Sequence, residues 1–141
     1  MQTFIPNGVN FKLTAMILDR QRLGKQRVEG LQILNTLTGR STGWVNHPAV
    51  KMWRGHEEVL ATYTLTMCKV WTNRGYKDTC ADRIHSMFPN LTPAHLLIVP
   101  EWLGDDAVTL SHRSNLVRKD PIHYGRLWPD VSPDLPYVWP V

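Results

Sequence analysis

The sequence predicts an all-α fold, a compact single-domain helical chain with a long central helix and an irregular tail, and two patterns carry most of that prediction. Ala49, Trp53, His56, Leu60, Tyr63, Met67 and Val70 recur at alternating spacings of four and three, the period of a helix that buries one stripe. In an earlier segment Leu23, Leu31, Ile33, Leu34 and Leu37 share one helical sector, while Arg22, Lys25, Glu29, Gln32 and Thr36 share the opposite one. The chain has 141 residues, 43% of them apolar, and no linker-like break in composition. One domain over residues 1–141 can therefore bury a core without disulfides or a structural metal.

Taken in order, residues 1–11 hold Pro6, Gly8 and three Asn or Gln positions and read as an extended arm. A short helix is expected over Leu13–Leu18. Asp19 is a good cap for the next helix, which runs to about Leu37 before Thr38-Gly39 stops it. Gly24 and Gly30 inside it each cost roughly 1 kcal/mol against alanine, so a neighbour must approach closely there, most simply a packed helix. Asn46-His47-Pro48 starts the long helix, with Pro48 in its first position, and Arg74-Gly75 ends it. Within that helix His56 reads as a hydrogen-bonded core histidine, and Trp53 and Trp71, with Trp44 just ahead of the helix, read as core residues in preference to surface wedges.

Asp78–Met87 adds a short helix, and Pro89 and Pro93 break the pattern. His95–Val99 is a buried helical turn or a strand; length does not decide between them. Ser111 as cap and Pro121 as stop bound a last helix that displays His112, Arg113, Arg118 and Lys119. Those four suit phosphate contact or a merely solvated basic face. The tail from Trp128 to Val141 holds four prolines and is expected to be an aromatic strap, packed on the helices through Trp128, Tyr137 and Trp139.

Charge narrows the partner. The first 54 residues carry eight Lys or Arg against only Asp19 and Glu29, so that part should project positive potential toward a polyanion. Cys68 and Cys80 are the only cysteines and form no CxxC motif, which suggests a reducing compartment. The six histidines form no HxxxH or HxH pair, and no glycine-rich phosphate loop is present, so neither metal nor small-molecule cofactor is expected. With no apolar run long enough for export or membrane insertion, the expectation is a cytoplasmic protein, monomeric and without membrane contact.

The most informative stretch is Asp19–Glu29, because it puts one carboxylate, Glu29, on a helix face otherwise polar and basic. Cations on such a face can hold a nucleic-acid backbone while the acid addresses the sugar. The competing reading is ordinary: Lys25 and Glu29 stand four apart and would also make a surface ion pair.

The segment Leu18–Leu34 with its Glu29, then Asn46-His47-Pro48, the long amphipathic helix and Arg74-Gly75-Tyr76, resembles the pyrimidine-dimer DNA glycosylase, or endonuclease V-like, family over roughly residues 1–80. Ser111-His-Arg-Ser, Arg118-Lys-Asp-Pro121 and Leu135–Pro140 resemble features of its bacterial and phage branch. The resemblance implies a helical enzyme that excises a damaged, pyrimidine-dimer-type base from duplex DNA and then cleaves the backbone as an AP lyase through an α-amine Schiff base. It implies Glu29 as the catalytic carboxylate and places the family's nearby basic residues on Arg22, Lys25 or Arg27. The expected DNA contacts are Arg20, Arg22, Lys25, Arg27, His47, Arg113, Arg118 and Lys119, with Arg27 also able to be structural because it lies in the apolar sector.

An amine that attacks C1′ must be unprotonated, and an α-amine, with a reference pKa of about 8, meets that need better than a lysine at about 10.4. Family members with lyase chemistry expose a small second residue after methionine removal, whereas this chain has Gln2, whose bulk disfavours that removal. Met1 is then the expected nucleophile, with Lys12, Lys25 or water as alternatives. Two other functions stay open: a glycosylase for a modified rather than UV-damaged base without strong lyase activity, and a non-enzymatic DNA-binding module.

Overall fold

The computed structural model describes residues 1–141 and builds them into seven α-helices and two short 3-10 turns, with no strand. Helix α1, Phe11–Ile17, starts two residues ahead of expectation because the Asn10 side chain accepts from the Leu13 amide and caps it. Helix α2, Arg20–Leu37, is capped by Asp19 as expected, and the Thr38 amide and hydroxyl both close onto the Leu34 carbonyl at its other end.

The segment expected as one helix from Pro48 to Arg74 is two, α3 at Pro48–Lys51 and α4 at Glu57–Asn73. The break lies at Gly55, whose φ of +86° is a left-handed conformation that no continuing helix contains. His56 stands at the cap position of α4, half-buried and with no side-chain cap bond, and so is not the core histidine the stripe suggested. The stripe itself is real: Ala49, Trp53, Leu60, Tyr63 and Met67 are fully buried on either side of the break.

Helix α5, Cys80–Met87, follows Asp78, whose carboxylate accepts from the Ala81 amide at 2.9 Å. Residues 95–99 are neither a buried turn nor a strand; a 3-10 turn covers Ala94–Leu96, and Leu96 and Ile98 are 63% and 88% exposed. Helix α6, Asp106–Lys119, begins five residues before Ser111, because Asp105 caps it on the Ala107 amide. Ser111 therefore lies buried in mid-helix. Helix α7, Pro121–Leu127, starts at the proline that ends α6, with the Asp120 side chain accepting from the His123 amide.

Helix α2 crosses α4, and its glycines record how closely. A Cβ at Gly30 would stand 2.2 Å from Thr64 Oγ1, and one at Gly24 would stand 3.0 Å from the Trp71 ring. The close neighbour expected at both glycines is thus α4. Leu23, Ile33, Leu34, Leu60 and Met67 fill the fully buried core, and each such side chain contributes roughly 1.5–3 kcal/mol by leaving water. Beyond α4, the Arg74 guanidinium holds the carbonyls of Ala15, Met16 and Leu18 at 3.2, 3.1 and 2.8 Å, which satisfies the orphan end of α1. No helix is long and apolar enough to cross a membrane.

The tail is the strap expected, and α6 fastens it. Ser114 Oγ accepts from the Leu135 amide at 2.9 Å, Ser111 Oγ accepts from the Val138 amide at 3.1 Å, and Asn115 Nδ2 donates to the Leu135 carbonyl at 3.1 Å. Trp128, Tyr137 and Trp139 then pack against the core. Of the tryptophans expected in the core, Trp53 is fully buried and Trp71 is partly covered, but Trp44 is 60% exposed. It sits on the loop between α2 and α3, where its ring meets His47 edge-on.

Candidate active site

Gln2 to Pro6 are buried yet belong to no helix, so their peptide groups need side-chain partners. Gln26, on α2, supplies two of them. Its Oε1 accepts from the Phe4 amide at 2.9 Å, and its Nε2 donates to the Gln2 carbonyl at 3.0 Å. The Tyr63 hydroxyl from α4 lies 2.7 Å from the Phe4 carbonyl and 2.6 Å from Gln26 Oε1, one proton serving two acceptors. Burial, and then the Glu29 charge, hold that phenol well above its ordinary pKa, so it stays a donor. Trp53 Nε1 donates to Thr3 Oγ1 at 2.9 Å.

Helix α6 grips the same arm from the other side. His112 Nδ1 accepts from the Ile5 amide at 3.0 Å, and Arg113 Nε donates to the Pro6 carbonyl at 2.8 Å. Burial lowers the His112 pKa to about 3, which keeps the ring neutral and its Nδ1 lone pair available. The expectation that His112 is displayed toward phosphate is therefore wrong. It is fully buried, because α6 turns that residue inward to meet the arm.

The stitched arm delivers Met1 to a cleft of about 290 Å³ that Arg22, Lys25, Glu29, Lys119 and Tyr137 also line. Glu29 is anchored through one oxygen: Oε2 accepts from Gln26 Nε2 at 3.1 Å and lies 3.5 Å from the Gln2 amide. Two ion pairs form in the molecule, Arg22 with Asp19 at 3.2 Å and Arg27 with Asp78. Lys25 and Glu29 make none, so the ordinary surface-pair reading of that spacing does not describe this helix. Tyr137 is pushed up to about 12 by burial, lowered by Arg118 and raised by Glu29, and remains a neutral phenol.

His47 caps the start of α3 and is not among the residues that line the cleft. Its Nδ1 accepts from the Ala49 amide at 3.0 Å, which puts the proton of the neutral ring on Nε2. Its pKa is lowered by burial first and then by the N-terminal amine, with Glu29 acting the other way. The ring thus lies in the field of both groups. On the far side of Glu29 and Lys25 a wider groove of about 870 Å³ runs along α2 past Arg20, Gly24 and Val28 to Trp71. The Arg20 guanidinium lies 5.2 Å from the Tyr76 ring, which in turn packs 4.4 Å from Trp71.

Of the residues singled out in the sequence, Met1, Glu29, Arg22, Lys25 and Lys119 come together in the cleft, and Arg20 flanks it along the groove. The other three cations lie elsewhere. Arg27 pairs with Asp78, at side-chain exposures of 12% and 3%, and covers the Trp71 ring at 4.3 Å. Arg113 holds Pro6 and lies 5.2 Å from the Trp128 ring, while Arg118 binds the Pro133 carbonyl at 2.6 Å and also Asn115. Gln26 and Tyr137 were missed. Gln26 had a signal, a polar residue in the apolar sector between Leu23 and Gly30, and it is 1% exposed. Tyr137 had none beyond its place in an aromatic tail.

A carboxylate and a chain-terminal amine among cations can bind a phosphodiester, stabilise positive charge on a sugar and exchange protons with it. No three His, Cys, Asp or Glu side chains converge as a metal site would require. An all-helical fold with one acid and several cations in a single cleft defines a protein suited to a polyanion, and the family comparison narrows it. The model of the family described as pyrimidine dimer DNA glycosylase matches residues 1–84, which hold the arm, Gln26, Glu29 and His47. The chain belongs to that family, and DNA is its implied partner. Comparisons with curated proteins and with solved structures returned no match.

Proposed function

We propose that the protein excises a pyrimidine-dimer-type base from duplex DNA and then cleaves the strand at the resulting abasic sugar, with the Met1 α-amine as nucleophile and Glu29 as the catalytic carboxylate. The observation that carries this reading is the convergence of Met1 and Glu29 in one cationic cleft within the matched segment. The amine attacks C1′, the glycosidic bond breaks, and the base departs with its electron pair and takes up a proton. Ring opening leaves a Schiff base between Met1 and the sugar. Glu29 stabilises the cationic intermediate and accepts the C2′ proton, whereupon the C3′–O bond breaks by β-elimination.

Arg22, Lys25 and Lys119 hold the phosphates around the reacting sugar, Arg20 and His47 extend the contact on either side, and Arg27, Arg113 and Arg118 support the fold. Residues 1–141 act as one domain in this reading, because Lys119 and Tyr137 complete a cleft whose other walls come from the matched segment.

Glu29→Gln tests the assignment. It keeps the shape of the side chain and still offers an oxygen to Gln26, so stability should shift by no more than about 0.5–1 kcal/mol. Thermal unfolding and duplex-binding isotherms should match the wild type, and turnover on a dimer-containing duplex should fall by at least about a hundredfold. Turnover near wild type would make Glu29 a bystander; collapse of the fold would make it structural.

A further inference from the structure

Trp44 is the tryptophan that the core does not cover. It is 60% exposed and adopts φ +63°, a left-handed conformation rare for a bulky side chain. Such outliers persist where the surroundings hold them, and they gather at functional sites. Here the loop is held: Thr36 Oγ1 donates to the Gly43 carbonyl at 2.7 Å, and the Trp44 carbonyl accepts from the His47 amide at 2.8 Å. The indole is presented by a fixed turn.

Its direction of use follows from its neighbours. The Trp44 ring stands edge-on to His47 at 5.9 Å, His47 stands edge-on to Trp139 at 5.7 Å, and Trp139 lies 5.4 Å from Tyr137, which lines the cleft. An exposed aromatic is thus linked, through the His47 and Trp139 rings, to a residue that lines the cleft holding Met1 and Glu29. The same loop carries the exposed Arg40, so a polyanion suits this surface.

We propose that Trp44 is a DNA wedge, its indole stacking into the duplex beside the nucleotide whose sugar is held at Met1 and Glu29. The proposal rests on the function proposed above. A stacked duplex hides C1′ from an amine, so a nucleotide must leave the stack. The gap that opens needs filling, and an aromatic face fills it with any base as neighbour. A turn that fixes the ring beforehand spares the ordering that a mobile side chain would require.

The test compares wild type with Trp44→Ala, Trp44→Gly and Trp44→Phe on two substrates: a dimer-containing duplex, which must be opened, and a single-stranded oligonucleotide with an abasic site, which need not be. Loss of the ring in the alanine and glycine variants should lower kcat/KM on the duplex by about tenfold or more, the scale of one base–aromatic stack. The phenylalanine variant should recover most of that loss, and single-strand cleavage should stay within about twofold of wild type in all three. The glycine variant suits the left-handed backbone and guards against misfolding as a cause. Duplex activity unchanged without the ring would overturn the wedge, as would equal losses on both substrates. Wild-type protein inactive on both would instead remove the function on which the wedge depends.

Discussion

Gln26 illustrates how much one side chain settles. Its oxygen faces two donors and its nitrogen faces two acceptors, Gln2 and Glu29, so only one orientation of the amide satisfies all four. Gln26→Glu keeps the shape and turns the nitrogen end into a third acceptor among acceptors. That change should lower stability at pH 7 by about 1–3 kcal/mol or more, read by chemical denaturation. Burial and the adjacent Glu29 raise the introduced carboxyl's pKa in the folded state, so the folded state binds the extra proton. The deficit should therefore be small near pH 4 and grow as pH rises past the unfolded value of about 4.3. A deficit independent of pH would mean that Gln26 acts by packing alone. At this scale the sequence was only partly legible. Glu29 stood out as a lone acid on a basic face, but Gln26 earns its meaning from an arm 22 residues away.

Helix α2 was readable almost to its ends because Asp19, Thr38 and the apolar sector are local signals, and its glycines announced a crossing that the sequence alone could not assign to α4. Gly30→Ala tests that crossing. The added methyl gains roughly 1 kcal/mol of helix propensity but meets Thr64 Oγ1 at 2.2 Å and Cγ2 at 2.7 Å, and overpacking of this kind costs about 1–3 kcal/mol. Net destabilisation is expected, and Thr64→Ala in the same chain should restore much of it, because it removes both atoms. Additive effects of the two substitutions in a double-mutant cycle would show that α2 and α4 do not meet there as described. Elsewhere local signals misled. The stripe from Ala49 to Val70 continues through Gly55, since periodicity in the buried face does not register a turn that keeps both halves in phase. Ser111 resembles a cap, yet Asp105 is available earlier, and the serine hydroxyl is used to hold the tail.

Across the whole molecule, the arm is the feature that pattern could describe but not place. Its prolines and amides said extended; nothing said buried, because the groups that satisfy it come from residues as distant as His112, 107 positions along the chain. Burial of the arm is what fixes Met1 beside Glu29, and Arg22 and Lys25 of α2 converge on the same point with Lys119 at the end of α6. The central claim is that this amine is the nucleophile, and borohydride trapping during turnover on damaged duplex DNA tests it most directly. Reduction of the Schiff base should leave a covalent protein–DNA adduct that peptide mapping places on Met1. A few residues added ahead of Met1 should abolish it, since a displacement of about 1 Å can cost roughly a hundredfold in rate. An adduct on Lys12 or Lys25, or base release with no adduct at all, would contradict the assignment.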